Sequence, residues 1–247
     1  MLIAVAALAG GWSLSVLPAA LEATALSPIT ALVVGGESFK PETLARILAR
    51  TERTERSGDC FAGALKDVAT VRLRAAATAL GSGSGKDIAE QLDRARSAVR
   101  SLLLCSPHQS YFWYALFWLE MARGGASQDY LPYLEMSYRL GYREGWISPQ
   151  RSRMALPLLS SFGPELRARV LSEYVGMATY DVPEAANVFY EADATLRATL
   201  LPLFAQVPKT QRTEIAGLLN AADVEVEIPG VEKADPQPWR SSDGRRP

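Results

Sequence analysis

The stretch that decides the fold runs from Cys60 to Ser106: CFAGALKDVATVRLRAAATALGSGSGKDIAEQLDRARSAVRSLLLCS. In its first half Cys60, Phe61, Ala64, Leu65, Val68, Val71, Ala75 and Ala79 recur at three- and four-residue steps, which is one face of an α-helix. Ile88, Leu92, Ala95, Val99, Leu102 and Leu103 repeat the pattern in the second half. Between them, Gly81-Ser82-Gly83-Ser84-Gly85 loses too much backbone entropy to stay helical. The reading is two antiparallel helices, about 59–80 and 86–105, with Asp59 suited to cap the first. Ser106-Pro107 closes the second, because a residue before proline is pushed out of helical geometry.

This hairpin places the chain's two cysteines. Cys60 lies 23 residues before Gly83 and Cys105 lies 22 after it. At about 1.5 Å of rise per residue, they stand at nearly equal height on neighbouring helices. Axes about 8–10 Å apart let inward Cβ atoms meet at disulfide range. A Cys60–Cys105 disulfide is expected, and with it an oxidising compartment such as the periplasm.

The same punctuation continues outward on both sides. Pro41 opens a helix with the stripe Leu44, Ile47 and Leu48, which fades near Ser57-Gly58, while 27–40 reads as a connector. A fourth long helix, Gln109 to about Arg123, is dense in aromatics and stops at Gly124-Gly125. Further helices are expected at about 128–140, 149–161, 164–178, 183–205 and 209–221, with kinks or early ends at Pro157 and Pro202. The one period-two run, Val224 to Ile228, stands alone and cannot form a sheet. From about Asp223 the chain is rich in proline, glycine and charge and reads as a flexible tail that carries Trp239. The fold class is all-α: stacked antiparallel helical hairpins over 41–222, behind an apolar N-terminal helix, with a tail over 223–247.

That N-terminal segment has no charged residue from Leu2 to Leu21. Twenty apolar positions suffice for a helix to cross a bilayer, so residues 2–21 are expected to contact a membrane. A secretory signal peptide fits too, with Ala23-Thr24-Ala25 as a small-x-small cleavage pattern, so 1–26 reads as anchor or signal peptide. Lys40, Arg46, Arg50, Arg53 and Arg56 follow the segment, which by the positive-inside rule places the body in the cytoplasm. The cysteines argue the other way, and we follow them: inner membrane-anchored or periplasmic.

Charge and motif exclude several functions. The 26 basic and 27 acidic residues leave no basic excess for nucleic acid. Two cysteines and one histidine, with Cys60 far from Cys105 and His108, give no zinc spacing. Ser84-Gly85-Lys86-Asp87 fails the phosphate-loop pattern, because position 80 is leucine and Asp87 follows the lysine. His108 reads as a residue of the first helical turn. No catalytic, cofactor or metal residue is assigned. The carboxylates Glu120, Glu135, Glu144 and Glu173 are available to a rival reading, a periplasmic glycan-acting enzyme with a helical fold, and a cytosolic helical adaptor is a third.

The polar cluster that stands out is Arg139, Tyr142, Arg143, Glu144, Trp146, Arg151 and Arg153, at a turn between two expected hairpins. Arginine and tryptophan are enriched at binding hot spots, and arginine grips carboxylates with two parallel hydrogen bonds. These seven residues are the partner-binding candidates.

The interval Pro107 to Tyr142 has the length of one tetratricopeptide unit, about 34 residues. Trp113, Leu116 and Phe117 sit in its first helix and Leu134 and Tyr138 in its second. On these residues the chain resembles degenerate tetratricopeptide proteins over roughly 59–178. The resemblance implies a TPR-like α-solenoid that makes protein–protein contacts without catalysis. Ser106-Pro107, Phe112-Trp113, Phe117-Trp118 and Arg143-Glu144-Gly145-Trp146 also resemble short, membrane-led helical proteins of proteobacterial envelope polysaccharide loci. That resemblance implies a protein partner in a membrane or periplasmic assembly, accessory to polysaccharide synthesis or export.

Overall fold

A computed structural model describes residues 5–6, 10–14, 26–37, 39–57, 60–83, 85–125, 127–142 and 144–232. Among them every regular element is helical, and no strand occurs. The chain divides into two compact units, Met1–Gly141 and Tyr142–Pro247.

The first unit contains α1 (26–34), α2 (Pro41–Ser57), α3 (Ala62–Ser82), α4 (Gly85–Cys105), α5 (Ser110–Gly124) and α6 (Leu131–Leu140). From α3 to α6, each helix packs on the one before it, the α3–α4 pair most extensively. The turn at Gly83 cannot hold a larger residue unchanged, because a Cβ there would lie 2.7 Å from the Ala79 carbonyl oxygen. The buried stripe of α4, Leu92, Ala95, Val99 and Leu102, faces Leu65, Val68, Ala69 and Leu73 of α3 in one cluster. Each large apolar side chain so buried contributes about 1.5–3 kcal/mol.

Cys60 stands just ahead of α3 and Cys105 is the last residue of α4. Their sulfurs lie at disulfide distance, with the Cα atoms 5.4 Å apart. The cross-link therefore closes the hairpin at the end opposite its turn, as the register of the two stripes requires. On the other side of α3, the buried Arg72 donates two hydrogen bonds to Glu55 of α2, at 2.6 and 2.8 Å. Arg96 and Arg100 of α4 and Arg123 of α5 converge on Glu120, a carboxylate only 3% exposed. The hydrogen bond to Glu120, reinforced by its opposite charge, holds the Arg96 guanidinium above its ordinary pKa.

The second unit contains α7 (Ser148–Ala155), α8 (Pro164–Tyr180), α9 (Val182–Glu191), α10 (Ala194–Leu200) and α11 (Lys209–Ala221). Pro157 and Pro202 each sit at the start of a 3-10 segment, Leu156–Ser161 and Leu201–Gln206, where the α-helical hydrogen-bond ladder is broken. The helix expected over 183–205 is thus three pieces. Its first break falls at Ala192, after which the Asp193 carboxylate accepts a bond from the Leu196 N–H at 2.8 Å and starts α10. Tyr174, Phe189 and Phe204 form the aromatic centre of this unit, with ring centroids 6.0 and 5.4 Å apart. The Tyr174 hydroxyl donates to the Ala185 carbonyl at 3.0 Å, and burial pushes its pKa well up.

One further expectation changes. The tail expected from Asp223 is packed as far as Val231: Ile228 is 3% exposed, and Arg212 donates to the Pro229 carbonyl. Trp239 lies outside the described residues. Among the described residues no helix is long and apolar enough to cross a membrane. Most of 2–21, the small-x-small run 23–25 and the cap Asp59 fall outside the described residues.

Candidate functional site

The loop that opens the second unit is built on a buried ion pair. Arg151 of α7 is fully buried and grips Glu173 of α8 with two hydrogen bonds, Nε to Oε2 at 3.0 Å and Nη2 to Oε1. Two charges out of water are tolerable only when each neutralises the other in this forked geometry. The pair joins α7 to α8 and fixes the base on which the loop rests. Ile147, 1% exposed, anchors the loop to the core, and the Glu144 carbonyl accepts from the N–H groups of Ile147 and Ser148.

Above that base three aromatic side chains face outward: Tyr142 at 45%, Trp146 at 63% and Tyr180 at 55% exposure. Tyr142 and Tyr180 are held in place. The Tyr142 hydroxyl shares a hydrogen bond with Ser172 at 2.9 Å, and the Arg169 guanidinium carbon lies 5.9 Å from its ring centroid. The Tyr180 hydroxyl donates to the Gly145 carbonyl at 3.2 Å. Gly145 permits this approach, since a Cβ there would stand 3.3 Å from the Tyr180 ring. Partial burial raises the Tyr180 phenol above its ordinary pKa.

The candidate residues separate accordingly. Tyr142 and Trp146 lie on the exposed surface, and Glu144 is half-buried beside them. Arg151 presents no surface to a partner; it belongs to the base, a correction whose cause is the carboxylate 22 positions further on. Arg153 is 44% exposed and holds Glu184 of α9 at 2.7 and 3.0 Å. Arg139 is exposed in the last turn of α6, in the first unit. Arg143 lies outside the described residues. Tyr180 and Arg169 were not foreseen. Both flank the α8 stripe of Leu166, Val170, Tyr174 and Met177, and an aromatic residue just off a core stripe was the available signal.

The other polar groups take different roles. Glu120 is held by three arginines, and Glu135 is exposed on α6. His108 Nε2 lies 3.4 Å from the buried Ser106 hydroxyl, which also accepts from Gln109 Nε2 at 3.3 Å. A cleft of about 320 Å³ between α4 and α5 is lined by Ile88, Asp93, Arg123 and Tyr130, and Arg123 closes on Asp93 at 2.7 Å. Among the described residues no group of three or more histidine, cysteine, aspartate or glutamate side chains is placed to hold a metal ion.

Together these features define an all-helical protein with a rigidly supported aromatic surface. No protein-family model, no curated protein and no solved structure matches the chain.

Proposed function

We propose that this chain is a non-enzymatic docking protein of the bacterial cell envelope, which binds a protein partner through the surface of Tyr142, Trp146 and Tyr180. One observation carries the reading. Large aromatic side chains stand open to solvent on a loop whose own backbone is tied down by Ile147, by the Tyr180–Gly145 hydrogen bond and by the Arg151–Glu173 pair beneath. Exposed tryptophan and tyrosine on a rigid base make contact area at small entropic cost, the property of an interface hot spot. Arg169, whose guanidinium carbon lies 5.9 Å from the Tyr142 ring centroid, supplies a neighbouring cation for the rim.

The cysteine pair supports a compartment outside the cytoplasm, where disulfides persist. The uncharged run 2–21 supports attachment to, or passage across, the inner membrane. Sequential packing of α2 to α6 supports the hairpin-array reading of the first unit, in the manner of tetratricopeptide proteins. A place in envelope polysaccharide synthesis or export rests on the resemblance alone.

The test is a photo-crosslinking amino acid installed at Trp146 in living cells. A discrete adduct with one protein that disappears when Tyr180 is changed to serine agrees with docking at this surface. Absence of any adduct, with the protein folded and abundant, refutes it. So does loss of biological activity in Glu120→Gln or Glu144→Gln while the adduct still forms, because catalysis would then be the function.

A further inference from the structure

Helix α8 carries a second stripe beside its core face. Arg169, Ser172, Gly176 and Tyr180 recur at steps of three and four, so they share one flank of the helix. The loop 142–146 is tied to that flank at two points. Tyr142 meets it at Ser172 and Arg169, and Gly145 meets it at Tyr180. Gly176 falls midway between Ser172 and Tyr180. A Cβ added there would meet no described atom within 4 Å. The exposed Tyr142 and Tyr180 rings therefore stand at the two ends of a notch with a glycine floor, and Trp146 follows Gly145 at the Tyr180 end. From Ser172 to Tyr180 the notch runs about 12 Å, at about 1.5 Å of rise per residue.

The chemistry of the notch selects its occupant. Both phenol hydroxyls are engaged, one by Ser172 and one by the Gly145 carbonyl, so the notch offers ring faces more than hydrogen bonds. Proline fits such a site: it has an apolar ring, no N–H to satisfy, and an extended backbone that loses little entropy on docking. Charge is unequal along the notch. At the Tyr142 end Arg169 is paired with the exposed Glu165 at 2.8 Å, so that end carries little net charge. At the Tyr180 end the described residues add two carboxylates, Asp181 next to Tyr180 and Glu144 next to Gly145. A proline segment closed by a cation complements that order.

The chain contains such a segment, Pro236-Gln237-Pro238-Trp239-Arg240, which follows the described residues and belongs to the same unit. Its approach starts close by. Arg212, in the first turn of α11, holds the Pro229 carbonyl, and the 3-10 segment just ahead of α11 packs on α8 through Phe204 and Tyr174. The seven residues from Val231 to Pro238 extend to about 23 Å, about two helix diameters, which suffices to pass around α8. We infer that the notch along α8 takes this proline segment of the same chain. Pro236 and Pro238 lie against the Tyr142 and Tyr180 rings over Gly176, Trp239 lies by Trp146, and Arg240 pairs with Asp181. The inference rests on the reading of this surface as a docking surface and adds its regulation: a partner reaches Trp146 only by displacing the segment.

The test places a photo-crosslinking amino acid at Trp239 of the purified full chain. The dilute protein is irradiated without any partner, and the linked peptides are mapped by mass spectrometry. The expected adduct lies within one chain and joins position 239 to residues 142–146 or 172–181. Gly176→Leu, which fills the notch, should lower its yield about fivefold or more while the melting temperature does not fall. Pro236→Ala with Pro238→Ala, made in the segment itself, should lower the yield to the same extent and leaves α8 untouched. Adducts spread over the unit without preference overturn the inference. So does a notch adduct found only in crosslinked dimers, or a yield unchanged in either variant. The two proposals fail separately. If the Trp146 crosslink fails in cells while the Trp239 adduct forms, the protein partner falls and the contact within the chain stands; the reverse outcome removes that contact alone.

Discussion

Converting both Cys60 and Cys105 to serine should destabilise the first unit by an amount that the geometry bounds. The cross-linked positions are 45 residues apart. A ring of that size removes loop-closure entropy from the unfolded chain worth about 4 kcal/mol at 25 °C in the chain-entropy model. Packing adds little, since Cys60 is exposed and Cys105 half-buried. The ring holds a hairpin whose helices adjoin through a turn only a few residues long, and residual contact between them in the unfolded chain lowers the figure to about 2–4 kcal/mol. With a urea slope of about 2 kcal/mol per molar, the midpoint should fall by about 1–2 M. Urea titration in a background with Trp12, Trp146 and Trp239 all changed to Phe follows the first unit through the fluorescence of Trp113 and Trp118. Reduced protein and the double-serine variant should unfold together, both well below the oxidised protein. A midpoint shift under about 0.3 M, or two reactive thiols in the denatured unreduced protein, would rule out a stabilising Cys60–Cys105 cross-link.

Three other predictions concern the second unit. Arg151→Met alone strands the Glu173 charge in the core and should cost about 3–5 kcal/mol in urea unfolding, whereas Arg151→Met with Glu173→Leu should recover most of it. Ile228→Ala should cost about 2–4 kcal/mol by thermal unfolding, where a solvated tail would give no change. Tyr174 is held above its ordinary pKa by burial, so its contribution to stability is complete below the unfolded phenol value of about 10 and is lost as pH rises through the folded value. Alkaline difference spectroscopy should show Tyr174 ionising together with unfolding in the wild type, and an early, separate ionisation would contradict its burial.

The parts of the fold that were legible in the sequence are those set by local chemistry. Glycine and proline punctuation gave the ends of α2, α4, α5 and α8 to within a few residues, and two apolar stripes fixed the register that brings Cys60 to Cys105. What was hidden depends on partners distant in sequence. Arg151 read as a surface arginine because Glu173, which permits its burial, lies on another helix. The run 183–205 read as one helix because the capping of α10 by Asp193 is a local competition that the apolar pattern does not register. Ile228 read as tail because its anchors, Arg212 with the Pro229 carbonyl and Leu219 with the Val224 N–H, come from α11. The site was half legible for the same reason. Trp146 and Tyr142 were evident as residue types, but the support beneath them appears only once α7, α8 and the loop are folded together.

The most direct measurement is the dissociation constant of the crosslinked partner for wild type and for Trp146→Ala. Trp146→Ala should weaken binding about 30-fold or more, the loss typical of a central aromatic anchor, with the melting temperature unchanged. Equal affinity for the two proteins would contradict it.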